Sequence, residues 1–138
     1  MKTKSVVFLL VVCFSCGPED ASPDDPVTDV FDAKNATLIK TGDFLGIGHD
    51  ASGTATIYES AGIRTVVLDP YRSQNGPDLK VYLSKSDDAT EYINLGQLKS
   101  TIGKQSYTVP ASVKVSEYPY VLIWCEQFSV LFARAKMK

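Results

Sequence analysis

Hydrophobic residues along this chain occur in short runs that alternate with polar positions, and clusters of Gly, Pro, Asn and Asp separate the runs. Thr54–Tyr58 and Leu79–Leu83 alternate with a period of two, which predicts strands with one buried and one wetter face. Val, Ile, Thr, Tyr and Phe dominate the runs, as is typical of β-structure. The predicted strands are Thr37–Phe44, Gly53–Glu59, Ile63–Asp69, Leu79–Ser84, Ser106–Val109, Pro119–Trp124 and Ser129–Lys136.

The wider pattern favours the all-β class. No stretch between residues 30 and 138 carries a helical apolar stripe, and Asp87–Ser100 is the one segment in which a helical turn fits. Short strands separated by turn residues predict an antiparallel β-sandwich of about seven to nine strands. Trp124 and Cys125 invite comparison with immunoglobulin domains, although the second cysteine of the disulfide in that fold is absent.

The strand predicted at Pro119–Trp124 is apolar on both faces. Odd-numbered residues from Val121 to Cys125 share one face, and the even-numbered residues Leu122 and Trp124 share the other. A strand that is apolar on both sides is typical of the middle of a sheet, where neighbouring elements cover it. We therefore expect a central strand with Cys125 at its exposed end.

The first residues have the organisation of an export signal. Lys2 and Lys4 precede the apolar run Ser5–Phe14, which is too short to span a bilayer, since a spanning helix needs roughly 20 residues. The run ends at Ser15-Cys16-Gly17 and resembles a bacterial lipoprotein signal. That resemblance implies removal of residues 1–15, lipidation of the cysteine, and anchoring in the bacterial cell envelope on its periplasmic or cell-surface face.

The three cysteines of the chain have different expected fates. Cys13 leaves with the signal and Cys16 carries lipid, so Cys125 has no disulfide partner within its own domain. Cys13 and Cys16 have C-x-x-C spacing, but no βαβ unit surrounds them as in a thioredoxin-like site. Cys13 and Phe14 depart from the usual lipoprotein pattern, which leaves a plain secretory signal cut nearby as the alternative.

Residues 16–30 are rich in Pro, Asp and Glu, and such a composition cannot bury a core. We expect a disordered acidic tether that joins Cys16 to a domain over residues 31–138. The formal net charge of −2 becomes more negative when Lys2 and Lys4 leave with the signal. Because no basic patch remains, nucleic acid is excluded as a partner.

His49 is the only histidine, and it limits the possible metal sites. A blue-copper centre needs two histidines, and cysteine-rich zinc or iron–sulfur sites need more ligands than the chain has. Non-covalent haem held by His49 with Cys125 or Met137 stays open, although the sequence requires no cofactor. In a loop, His49 either contacts a ligand near Cys125, where a positive imidazole favours the thiolate, or makes a structural hydrogen bond.

The segment Asn75-Gly-Pro-Asp78 predicts a rigid turn. Gly76 can adopt positive φ, Pro77 fixes φ, and Asp78 can hydrogen bond within its own turn. The alternative is that Asp78 faces a ligand or a cation. For Cys125 the residues also leave two interpretations open, a packed apolar thiol or a reactive redox thiol beside Trp124.

Three motifs in the chain are specified beyond what strands need. They are Asn75-Gly-Pro-Asp-Leu79 leading into Val81–Leu83, Leu95–Lys99 followed by Gln105–Tyr107 and Pro110, and Ile123–Cys125 followed by Phe128, Val130 and Phe132. Together and in this order they closely resemble the DM13 domain, from about Leu38 to Met137. The resemblance implies a small β-domain that occurs with DOMON-type domains and in bacterial lipoproteins, with a DOMON-like sandwich. It also implies a proposed electron-transfer role centred on Cys125.

Two functional hypotheses follow. In the first, Cys125 passes electrons at the cell envelope, as a thiol or as a cofactor ligand, with another envelope redox protein as partner. In the second, the chain is a non-enzymatic binding or assembly module with a structural cysteine. Loops around His49 and Asp78, with Trp124 nearby, then bind a glycan, a metal or a protein.

Overall fold

The computed structural model describes residues 21–138, which contain nine strands and almost no helix. Short 3₁₀ turns lie at Ala33–Asn35 and Val115–Glu117. No helix among these residues is long and apolar enough to cross a membrane. The strands are β1 (Val27–Thr28), β2 (Thr37–Gly46), β3 (Ala51–Ser60), β4 (Ile63–Ser73), β5 (Leu79–Ser84), β6 (Tyr92–Gln97), β7 (Gly103–Thr108), β8 (Tyr120–Cys125) and β9 (Val130–Lys136).

The seven strands predicted from the sequence are confirmed, and two further strands are present. One of them, β6, lies within Asp87–Ser100, the segment in which the sequence leaves room for a helical turn. Ile93 and Leu95 of β6 pack against the core with a spacing of two residues, which is strand periodicity. The other is β1, which contains only two residues and pairs with β7.

All strands of the described residues belong to one sheet, in the order β1-β7-β4-β3-β2-β9-β8-β5-β6. Neighbouring strands pair antiparallel, except that β1 is parallel to β7. The sheet curls into a half-barrel, in which the terminal strand β6 approaches β7, the neighbour of the other terminal strand, β1. The all-β class is confirmed. The immunoglobulin- or DOMON-like sandwich is not confirmed, because a single sheet that curls strongly can enclose a core on its own concave face.

The core lies on the concave face, where Leu79, Val81 and Leu83 of β5 alternate with outward-facing residues. β8 lies between β5 and β9 and is covered on both faces, as expected for a central strand. Val121 is buried on its concave face and Leu122 on its convex face.

One end of the sheet collects several of the residues singled out above, and we call it the cysteine end. Six strands begin or end there, and the loops that follow carry the Asn75–Asp78 turn and His49. Their terminal residues at this end are Gly46, Ala51, Ser73, Leu79, Cys125 and Val130. The opposite end carries the β3–β4 hairpin turn at Ala61 and Gly62.

The acidic segment before the domain is bound to the sheet between residues 21 and 30, although we expected a disordered tether there. Asn75 Nδ2 donates to the Ser22 carbonyl oxygen at 2.7 Å, and Ser100 Oγ donates to the Asp25 carbonyl oxygen at 2.6 Å. Asp29 Oδ2 accepts from the Ser106 hydroxyl at 2.8 Å. The Asp29 carboxylate and the carbonyl oxygens of Ser22 and Asp25 therefore accept hydrogen bonds from β7 and from loops of the sheet. Composition alone does not reveal these contacts. The signal residues and Cys16 lie outside the described residues.

Candidate functional site

Cys125 is the last residue of β8 and lies within the core. Across the sheet it is in register with Leu79 of β5 and Val130 of β9. Its exposed fraction is 0%, so the strand end that we expected to be exposed is covered. A thiol without contact to solvent behaves as a small apolar group and is not accessible to a nucleophile or an oxidant.

Glu126 follows the thiol, but its carboxylate lies on the other face of the sheet. Glu126 Oε1 accepts from the Tyr82 hydroxyl at 2.5 Å and from Asn94 Nδ2 at 3.1 Å. Burial, together with the hydrogen bond to the carboxylate, raises the pKa of the Tyr82 hydroxyl well above its ordinary value. These contacts fix the position of the Glu126 side chain and, with it, the path of the backbone immediately after Cys125.

His49 packs flat on Phe132, with ring centroids 3.6 Å apart and planes inclined by 10°. Its Nδ1 lies 3.0 Å from the Ile47 carbonyl oxygen. A carbonyl oxygen can only accept, so Nδ1 carries the proton in this contact and Nε2 is the nitrogen left to accept or to coordinate. The structural hydrogen bond expected for His49 is present, and one ring nitrogen stays available.

Asp78 contributes to the turn that the sequence predicts. Its Oδ1 lies 2.6 Å from Lys80 Nζ, and its carbonyl oxygen accepts from the Glu126 N–H at 2.9 Å. The carboxylate is therefore engaged by a neighbouring cation, and the backbone connects the turn to the residue after Cys125.

Trp124 lies half-buried on the convex face, opposite to the core side of Cys125. Its ring centroid is 6.3 Å from that of Tyr82, and Tyr82 stacks on Tyr92 at 4.1 Å. The three rings form a row that sequence reasoning missed. The sequence does contain a signal for this row, because Tyr82 stands between Val81 and Leu83 in an alternating strand and must therefore face outward.

An open apolar groove lies at the cysteine end, with a volume of about 380 Å³. Small-molecule sites in proteins usually have volumes of roughly 300–1,000 Å³ and mostly apolar linings. Among residues 21–138, no carboxylate, lysine or arginine lines this groove. The lining residues are His49, Gln74, Asn75, Gly76, Pro77, Phe128, Val130 and Phe132.

Gly76 has a packing role that the turn interpretation did not reveal. A Cβ atom at this position would lie 2.8 Å from Phe132 Cζ, closer than such atoms approach in proteins. Glycine at this position therefore allows the turn to pack directly against the Phe132 ring, on which the His49 ring is stacked. The sequence shows the glycine but not this neighbour, which is 56 residues away along the chain.

The structure brings some of the predicted site residues together and separates others. His49 lines the groove, and Cys125 lies behind it, in register with the groove residue Val130. Asp78 and Trp124 do not line the groove. Within residues 21–138, no three side chains among His, Cys, Asp and Glu are grouped so that they could hold a metal ion.

A family model described as "Electron transfer DM13" matches residues 43–137. This range covers most of the chain and includes the groove, His49, Asp78, Trp124 and Cys125. The chain belongs to the DM13 family. The match confirms the resemblance carried by the three motifs, and it makes a redox role the first hypothesis for this DM13 domain. No curated protein and no solved structure matches the chain.

Proposed function

We propose that this DM13 chain is a membrane-anchored, extracytoplasmic electron-transfer domain with Cys125 as its redox centre. The observation that carries the proposal is the family match, whose description names electron transfer and whose range includes Cys125. The lipoprotein-like signal at residues 1–15 and Cys16 supports the bacterial cell envelope as the location. The partner in this proposal is another redox protein of the envelope.

Burial of Cys125 restricts how the thiol can act. Thiol–disulfide exchange needs in-line access to the sulfur, which a fully buried side chain does not offer. Access to the sulfur therefore requires the turn at residues 126–129 to open, whether the thiol reacts with a partner or ligates a cofactor. At the same end of the sheet, His49 Nε2 is a further nitrogen that could hold a cofactor, since Nδ1 is bound to the Ile47 carbonyl.

Voltammetry on the purified chain tests the redox centre. A single thiol has no reversible couple of its own, so we expect a reversible wave for the wild type with a bound cofactor or with glutathione added as the second thiol. This wave should be lost in Cys125→Ala, because the substitution removes the sulfur and leaves a small apolar side chain in the core. An optical spectrum and a metal analysis of the same sample decide whether a cofactor is bound. A wave that persists unchanged in Cys125→Ala would remove Cys125 as the redox centre.

The second candidate function is a non-enzymatic binding module, and the complete burial of Cys125 specifically favours it. In this case the thiol is a core residue, and the groove around His49 and Phe132 holds the ligand. Cys125→Ala then leaves binding and the cellular phenotype intact, whereas Phe132→Ala impairs binding. The two candidates therefore respond oppositely to the loss of the thiol.

Maleimide labelling measures the accessibility of Cys125 directly. We expect the native chain to remain unlabelled over a time in which the urea-unfolded chain is fully labelled, because the thiol has no solvent contact. Mass spectrometry locates the label, and Cys125→Ala supplies the background. Equal labelling rates in the native and unfolded states would contradict burial and favour a freely opening strand end.

A further inference from the structure

The apolar groove ends in two exposed hydrophobic side chains at the tip of the β8–β9 turn. Phe128 is 63% exposed and Val130 is 38% exposed. The turn between them is tight, with Ser129 at φ +52°. Large apolar side chains held at a protruding turn, beside a groove without charged groups, are typical of a surface that meets another apolar phase.

The N-terminal segment enters the domain at the rim of this groove. Asn75 lines the groove, and its Nδ2 donates to the Ser22 carbonyl oxygen at 2.7 Å and to Asp24 Oδ1 at 2.9 Å. From there the chain runs along β7 toward the opposite end, with Val27 in register with Gly103. The residues before Ser22 therefore start from the groove side of the molecule.

The distance from this entry point to a lipid on Cys16 is short. Five residues lie between Cys16 and Ser22, so the chain takes six steps from one to the other. An extended chain covers at most about 3.6 Å per step, which gives about 20 Å. A domain of about this size has a radius of gyration near 13 Å and hence a diameter larger than that span. A lipid on Cys16 consequently cannot reach a bilayer that faces the opposite end of the sheet.

We propose that the cysteine end rests on the bilayer, with Phe128 and Val130 in the interfacial layer. This inference depends on the membrane anchoring in the proposed function. Asp24 and Asp50 lie close to the groove, and the chain has a formal net charge of −2, so the surface fits zwitterionic rather than anionic headgroups. In this orientation the groove and the Cys125 end of β8 face the membrane.

The opposite end supplies a matched control in Ile63. It is 57% exposed, similar to Phe128, and it lies beside the β3–β4 hairpin turn. The ten-residue strands between the two ends separate Ile63 from the groove by roughly 30 Å, at about 3.3 Å per residue. Exposed apolar character alone therefore does not distinguish the two positions, but their distance from the anchor does.

Fluorescence quenching in nanodiscs tests the orientation. The full chain, processed in the bacterial envelope, is placed in phosphatidylcholine nanodiscs whose acyl chains carry bromine. Phe128→Trp and Ile63→Trp are compared in a Trp124→Phe background. The same pair with Trp124 retained, analysed by subtraction, covers the case in which the background variant folds poorly. We expect loss of indole emission for Phe128→Trp and unchanged emission for Ile63→Trp.

Membrane fractionation of Cys16→Ser separates the anchoring from the docking. Loss of the chain from the membrane fraction in Cys16→Ser, together with selective quenching at position 128, supports both. Anchoring with no quenching, or with equal quenching at the two positions, overturns the docking and leaves the anchored location intact. If the indole emission at position 128 shifts to the blue but bromine does not quench it, the side chain lies against a second copy or another protein. This result also overturns the docking. A wild-type chain absent from membranes overturns both.

Discussion

Gln105→Leu is expected to lower the free energy of unfolding by about 3 kcal/mol or more, the largest loss among the side-chain substitutions considered. Gln105 is fully buried, and its Oε1 accepts from the Ser100 N–H at 3.2 Å and from the Tyr107 hydroxyl at 2.6 Å. Its Nε2 donates to the Ser100 carbonyl oxygen at 2.8 Å. Leucine has a similar size but leaves these three groups without this partner, and each such loss costs roughly 1–3 kcal/mol.

Urea unfolding at constant temperature measures this change, with Gln127→Leu as the control. Gln127 is exposed in the turn after β8, so the same chemical change there should be nearly neutral. A typical domain is stable by roughly 5–15 kcal/mol, which makes the Gln105 loss a large fraction of the total. A change below about 1 kcal/mol would mean that other groups or water replace the amide, which would contradict the central role of Gln105.

Gly53→Ala is expected to destabilise the sheet by a comparable amount. Gly53 has φ +120°, a conformation that side-chain-bearing residues rarely adopt, and a Cβ atom would lie 2.0 Å from the Pro70 carbonyl oxygen. Backbone strain of this kind costs roughly 1–3 kcal/mol. Forced displacement of a packed neighbour costs typically a further 1–3 kcal/mol. This close approach lies at a register shift of the β3–β4 pair, between Gly53 and Ala55.

Gly62→Ala is the control for Gly53→Ala. Gly62 also has positive φ, at +77°, but no atom lies within 4 Å of a Cβ placed there. Only the conformational cost of about 1–2 kcal/mol applies at that position. Thermal unfolding of the two variants should show the larger decrease in Tm for Gly53→Ala. Equal decreases would mean that the contact with Pro70 relaxes without cost.

Sequence reasoning located most strands because their side-chain alternation is a local property. Ile93 and Leu95 also alternate, but the adjacent Asn94 and Gly96 are poor strand formers, so the sequence alone does not identify β6 as a strand. The curling of the sheet could not be predicted from local patterns. It depends on pairings between residues that are distant along the chain, such as Gln105 with Leu68. Local patterns thus identified strands but not the half-barrel.

The candidate site was predicted only in part, for the same reason. Counting cysteines isolated Cys125, and alternation placed it on the same face of β8 as Val121. Only the structure shows that this face belongs to the core. Its burial depends on neighbours from β5 and β9, which the pattern of one strand cannot supply. The stacking of His49 on Phe132 joins residues more than 80 positions apart, so the groove became visible only in the folded chain.

The pairing of β1 with β7 has a consequence for contacts between copies of the chain. Without β1, β7 would be an edge strand, and its unpaired N–H and C=O groups would be free to add a strand from another molecule. Val27 and Asp29 donate to the Ile102 and Lys104 carbonyl oxygens at 3.0 and 2.9 Å, and Gly103 permits this close approach. With the lipid anchor proposed above, copies of the chain would be concentrated in two dimensions, and β1 would then protect the edge at which crowded copies would aggregate.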